Sequence, residues 1–106
     1  MLVTWDQTAN AMYLAMGSEA KPAHRTVELD SGTIIDLEGF DVVVGVEIIN
    51  PRRALPARDI LAMHVPAADR LALERYLQAL SGVSADLSTS GASAAVRVGA
   101  HRPPVR

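Results

Sequence analysis

Four polar residues in this chain carry groups that could act together: Asp6, Asn10, Asp36 and Glu47. Paired carboxylates serve general acid–base catalysis, and carboxylates with amide oxygens bind hard cations. Asp6 and Asn10 lie in "WDQTANAMYL", just ahead of an alternating run that ends in Tyr13 and Leu14. Asp and Asn side chains also bond to nearby backbone and tolerate turn conformations, so the pair reads equally as a turn former. Asp36 and Glu47 lie in "TIIDLEGFDVVVGVEII", residues 33–49, which has the composition of two strands joined by a short loop. A tight hairpin at Gly39-Phe40 sets Asp36 opposite Val43 and Glu47 two pairs beyond Gly45. The two carboxylates are then more than about 10 Å apart along the strand. At that distance they share neither a proton nor a metal, and both are expected as solvated strand charges.

Other chemistries have less support. The chain has no cysteine, which excludes disulfides and thiolate chemistry. His24, His64 and His101 fall in different segments with no ligand-like spacing. There is no nucleophile elbow, and the glycines form neither a phosphate loop nor a dinucleotide fingerprint. Arg52, Arg53 and Arg58 form a basic cluster, expected to solvate a loop or to pair with Asp59. No catalytic residue, metal ligand or cofactor is therefore assigned, and no small-molecule substrate is expected.

The elements that position these residues follow from periodicity. Alternation predicts strands over 2–5, 11–16, 24–30, 33–38 and 42–49. In the last two, Ile35, Leu37, Val42, Val44, Val46 and Ile48 should turn to the core. Ile34, Asp36, Val43, Gly45, Glu47 and Ile49 should form a half-covered second face. Pro51 and Pro56 end the sheet, and Pro56 opens a short helical turn through Leu61. Pro66 starts a helix, "PAADRLALERYLQAL", expected to stop at Ser81-Gly82. Its stripe of Asp69, Leu73, Tyr76, Leu77 and Leu80 should pack on the sheet. Leu71 falls almost opposite, beside Ala68, Ala72 and Ala79, as a spare apolar surface.

The expected fold is α+β: a small antiparallel β-sheet meander of four or five strands, with one C-terminal helix packed on one face. A single domain should span 1–82. Residues 83–106 read as a flexible or partner-ordered tail in which "AAVRV" can form a marginal strand. At 106 residues the chain is short, so a dimer or partner surface is expected. The net charge of −2 hides an asymmetry: no acid follows Asp86, whereas Arg97, Arg102 and Arg106 do. An acidic body disfavours nucleic acid as the main ligand. No apolar run is long enough for a membrane span, and the N-terminus lacks a signal-peptide pattern, so a cytoplasmic location is expected.

Two blocks resemble a known family. Trp5, Asp6, Asn10, Ala11, Tyr13 and Leu14 match an aromatic-Asp-x-x-x-Asp-Ala-x-Tyr-hydrophobic pattern. Gly32, Asp36, Val43, Val44, Gly45, Glu47 and Ile48 match a Gly-hydrophobic run-Asp block followed by Val-Val-Gly-hydrophobic-Glu-hydrophobic. Both are similar to the small bacterial proteins of domain-of-unknown-function family 2283, over about residues 1–50. Two positions depart from the pattern. Asn10 stands where an Asp is usual, and Asp41 stands where a hairpin Gly is usual. The resemblance implies a small antiparallel sheet with a helix. It also implies a possible antitoxin-like role, since some members are thought to sit beside ribonuclease-type toxins.

The sequence thus points to a non-enzymatic protein-interaction module, an antitoxin-like binder of a basic partner protein. A self-associating structural protein, a homodimer, is the alternative. A small metal-dependent hydrolase using Asp6, Asp36 or Glu47 stands behind both. The residues to follow are Asp6, Asn10, Tyr13, Asp36, Glu47 and Leu71.

Overall fold

The structure, a computed structural model, describes residues 1–85. Its strands are β1 (Leu2–Asp6), β2 (Ala11–Ala15), β3 (Arg25–Asp30), β4 (Thr33–Leu37) and β5 (Val43–Ile49). Two helices follow, α1 (Ala57–Leu61) and α2 (Ala67–Ala85). The fold is α+β, with one five-stranded antiparallel sheet in the order β1-β2-β5-β4-β3. Strands β3, β4 and β5 form a meander, and the β1–β2 hairpin joins it at the free edge of β5. The expected tail from residue 86 onward, "AAVRV" included, lies outside the described residues.

The β4–β5 hairpin is where structure and sequence reading part. Leu37 pairs with Val43, so the connection is one residue longer than a four-residue loop. Asp41 takes φ 63°, the left-handed conformation at the position where the family pattern has Gly. A bulge follows: Asp36 pairs with Gly45, which leaves Val44 without a counterpart on β4. The extra loop residue and the bulge together slide β5 by two residues relative to the tight hairpin. A two-residue slide keeps every side chain beyond the bulge on its expected face. Val46 and Ile48 accordingly reach the core with Ile35 and Leu37. Val43 is the correction. It stands before the bulge, opposite Leu37, and is fully buried in the core instead of lining the second face. Val42 is only half-buried and makes a parallel bridge to His64, and Val44 is buried at the bulge.

Helix α2 runs three residues past the expected stop at Gly82, to Ala85. One Gly costs a helix only about 1 kcal/mol, and continued backbone bonding can carry that. Its stripe packs as the period requires: Leu73, Leu77 and Leu80 join Met12, Leu14, Ile35, Val46, Ile48, Ile60 and Val65 in one core. Asp69, on the same stripe, is buried because two donors reach it. The N-terminal ammonium of Met1 lies 3.1 Å from Oδ1, and the Gly17 N–H donates to Oδ2 at 3.1 Å. Tyr76 is half-buried beside the core, with its hydroxyl 3.9 Å from the Met12 sulfur. Burial pushes its phenol up to about 12 from an ordinary 10.0. A raised tyrosine pKa contributes stability that is whole below pH 10 and fades as pH climbs through about 12. Tyr76→Phe should therefore lose less stability than the parent across that window, as read by urea unfolding at stepped alkaline pH.

The opposite end of the sheet is closed by Arg53. Its guanidinium donates to Asp30 Oδ2 at 3.0 Å, Thr33 Oγ1 at 2.8 Å and the Ile49 carbonyl at 3.0 Å. The expected partner of the basic cluster was Asp59; Asp30 takes that place because a bulge at Glu28/Asp30 turns its carboxylate toward Arg53. A Cβ at Gly32 would sit 2.6 Å from Arg53 Nη2 and 3.0 Å from the Ile49 carbonyl oxygen, so a larger residue there would require the guanidinium to shift. Desolvation alone would raise the Asp30 pKa. The Gly32 N–H, the Thr33 hydroxyl and Arg53 outweigh it and hold the carboxyl below 3.8. A depressed carboxylate stabilises the fold above its unfolded pKa and ceases to do so as pH falls through the folded value. Asp30→Asn should cost about 0.5–1 kcal/mol at pH 7, a figure discounted for solvent screening. The gap to the parent should close below about pH 3 in a pH series of thermal melts.

Candidate functional site

Asp6 and Asn10 fold the β1–β2 turn. Asp6 Oδ1 accepts the Ala9 N–H at 3.2 Å, and the Asn10 N–H donates to the Gln7 carbonyl at 3.2 Å. Asn10 sits at φ 52°, where Asn is better tolerated than most residues. Its carbonyl accepts the Asn50 N–H at 2.8 Å, and the two side-chain amides lie 3.4 Å apart. The pair thus ties the first hairpin to the end of β5. The structure does not bring it to the other acids, since Asp6 pairs with Ala11, which pairs in turn with Ile49, so Asp6 lies two strands and one row away from Glu47.

Tyr13, Asp36 and Glu47 do come together, around Gly45. Tyr13 on β2 lies directly opposite Glu47 on β5, and Asp36 on β4 lies directly opposite Gly45. All share the sheet face turned away from the helices. Both described helices pack on the other face, through Met12, Leu14, Ile35, Val46 and Ile48. The Tyr13 ring runs across β5 over Gly45, and its hydroxyl donates to Asp36 Oδ2 at 2.7 Å. That length is typical of a well-formed O–H···O hydrogen bond. A Cβ at position 45 would overlap the Tyr13 hydroxyl and ring carbon, so the glycine makes room for the phenol. Tyr13 is 4 % exposed and Asp36 7 %.

Two expectations change here. Asp36 is a buried, hydrogen-bonded carboxylate rather than a solvated strand charge. The two-residue slide also makes Asp36 and Glu47 diagonal neighbours, about 7–8 Å apart at the backbone instead of more than 10 Å. Sequence reasoning missed Thr4. It pairs with Tyr13, is 3 % exposed, and its Oγ1 has no hydrogen-bond partner among the described residues. The signal was present in "LVTW", where a hydroxyl alternates with Val3 and Trp5. Leu71 stands apart from this cluster, 57 % exposed on α2 among Ala68 and Ala72.

The chemistry this arrangement offers is a buried phenol–carboxylate hydrogen bond with a second, half-buried carboxylate beside it. Among the described residues, no group of three or more His, Asp or Glu side chains is placed to hold a metal ion. The Tyr13 proton is committed to Asp36 in the ground state. Residues 2–51 match the family described as Protein of unknown function (DUF2283).

Over this stretch the chain is similar to the DUF2283 family. The DUF2283 match covers all five strands and stops at Pro51, before either helix. Tyr13 comes from its first motif block, and Asp36, Gly45 and Glu47 from its second. The fold therefore joins the two DUF2283 blocks at one place, the phenol lying over the glycine. No curated protein and no solved structure matches the chain.

Proposed function

We propose that this chain is a non-enzymatic interaction module that presents the helix-free face of its sheet to a basic protein partner. The observation carrying this reading is the distribution of strand charges. Among the described strand residues, register puts Asp6, Glu28, Asp36 and Glu47 on that face and no Lys or Arg. The one cationic residue of the described strands, Arg25, pairs with Leu37 on the helix side and binds Asp41 at 2.9 Å. A single-sign surface steers an oppositely charged partner and rejects like-charged ones. An antitoxin-like capture of a basic protein in the cytoplasm is the form of this role that the family resemblance suggests.

Co-expression with the products of adjacent genes, followed by native mass spectrometry, tests it. A stoichiometric complex with a basic protein, lost in Glu28→Lys/Glu47→Lys, is the expected result. A complex that survives those substitutions would count against it. Self-association is a second reading, favoured by Leu71, exposed beside Ala68 and Ala72 on α2. Light scattering at micromolar concentration would show a dimer that Leu71→Lys dissolves. Metal-dependent hydrolysis keeps one test, a divalent-ion shift in melting temperature that Asp36→Ala abolishes.

A further inference from the structure

We infer that the groove between α1 and α2 is the seat of residues 94–98 of this same chain, "AAVRV". This seat is on the helix side of the sheet, so it is independent of the docking role proposed above. Ala57 and Leu61 on α1 and Glu74, Leu77, Gln78 and Ser81 on α2 line an open groove of about 260 Å³. On each helix these positions fall three or four residues apart, so each helix contributes one face. Leu77 is buried, Ala57 and Leu61 are half-buried, and Glu74, Gln78 and Ser81 are exposed. The groove is thus apolar at its centre and polar at its rim, as a small binding cleft requires.

Two observations name the occupant. The first is where the chain goes. Helix α2 ends at Ala85, about one turn beyond Ser81. Val96 follows eleven residues later in the sequence. A chain of that length spans up to about 36–40 Å. The far limit of the groove, Glu74, is only about 16 Å back along the helix from Ala85. Every part of the groove is therefore within reach. A tether this short holds the segment at an effective concentration on the order of millimolar. A cleft too small to retain a free partner can retain a tethered one.

The second observation is charge. Glu74 has no ion-pair or hydrogen-bond partner among the described residues. Residues 87–106 carry Arg97, Arg102 and Arg106 and no acid. Val96 and Val98 suit the apolar centre, and Arg97 between them suits the carboxylate on the rim. Arg58 and Asp59, neighbours on α1, are both exposed and offset each other as charges. With the segment on the helix side, Arg97 does not compete with a basic partner for the acidic sheet face.

The test uses the full chain. It has no cysteine, so Ala100→Cys gives a single attachment point for a nitroxide spin label. In isotope-labelled protein the amide signals of Ala57, Leu61 and Gln78 should be lost to paramagnetic broadening. Those of Thr26 and Glu28, on the edge strand β3, should stay. Val96→Asp/Val98→Asp should restore the lost signals. Glu74→Arg should restore them in part, and more at about 0.05 M than at about 0.3 M NaCl. Glu74 is exposed, and Val96 and Val98 lie outside the described residues, so these variants leave the core intact. Signals lost at Thr26 and Glu28 instead would put the segment on the acidic sheet face and overturn the inference. Loss of no signal would overturn it, as would broadening that persists in Val96→Asp/Val98→Asp. In a mixture with the spin label only on unlabelled copies, the groove signals should survive. Their loss there would make a second copy the occupant and overturn the assignment.

Discussion

Gly45→Ala is expected to lower the unfolding free energy by about 3 kcal/mol and the melting temperature by roughly 10–20 °C. The added methyl occupies the volume through which the Tyr13 phenol passes. Relief requires the ring to swing away from β5. The hydroxyl then leaves Asp36, whose carboxylate is almost wholly buried. Overpacking in a tight site costs about 1–3 kcal/mol, and losing a hydrogen bond to a buried charge costs a similar amount. A double-mutant cycle separates this cause from a generic strand effect. In a Tyr13→Ala background the space is already empty, so Gly45→Ala should cost less than about 1 kcal/mol. If the glycine were needed only for backbone freedom, the cost would be the same in both backgrounds. Tyr13→Phe isolates the hydroxyl and should cost about 1–2 kcal/mol.

Asp69→Ala should be the most damaging substitution outside the apolar core, at about 3–5 kcal/mol in urea unfolding. Helix α2 otherwise turns Leu73, Leu77 and Leu80 inward on this stripe, and a carboxylate there needs partners. It has two, the Met1 ammonium and the Gly17 N–H. Met1 lies beside β1 and Gly17 follows β2, so one side chain pins the helix start to the first hairpin. Removing it leaves the Met1 ammonium and the Gly17 N–H without this acceptor. Asp69→Asn keeps an acceptor for the Gly17 N–H and loses the charge, so it should fall between the parent and Asp69→Ala.

Element type and helix face were readable because each rests on a local period. Alternation marked all five strands, and the stripe from Asp69 to Leu80 named the buried side of α2 before any partner was known. Register was not readable, because it depends on turn length and on a bulge that no residue type announces. Asp41 at φ 63° and the unpaired Val44 add one residue each. Their sum is even, which is why Asp36, Glu47, Val46 and Ile48 keep their expected faces. Val43, lying before the bulge, does not. The same two residues turned a distant Asp36–Glu47 pair into diagonal neighbours. The Arg53–Asp30 pair was not readable for a similar reason: a bulge at Asp30 can redirect a carboxylate that simple alternation would have left elsewhere. Thr4 was missed because an isolated strand hydroxyl reads as ordinary until its neighbours across the sheet are known.

The Asp6–Asn10 pair shows the reverse case. Turn chemistry was one of its two sequence readings, and the turn is what it forms. The departure from Asp at position 10 suits that role, since Asn tolerates the left-handed conformation it adopts.

The account's central claim is that Asp36 faces Gly45 beneath the Tyr13 ring. Nuclear Overhauser contacts in a uniformly labelled sample test it most directly. The claim predicts contacts from the Tyr13 ring to the Gly45 α-protons and to the Asp36 β-protons, with the Gly45 α-protons shifted upfield by the ring. Contacts that instead pair Asp36 with Val43, with the Tyr13 ring away from Gly45, would contradict it.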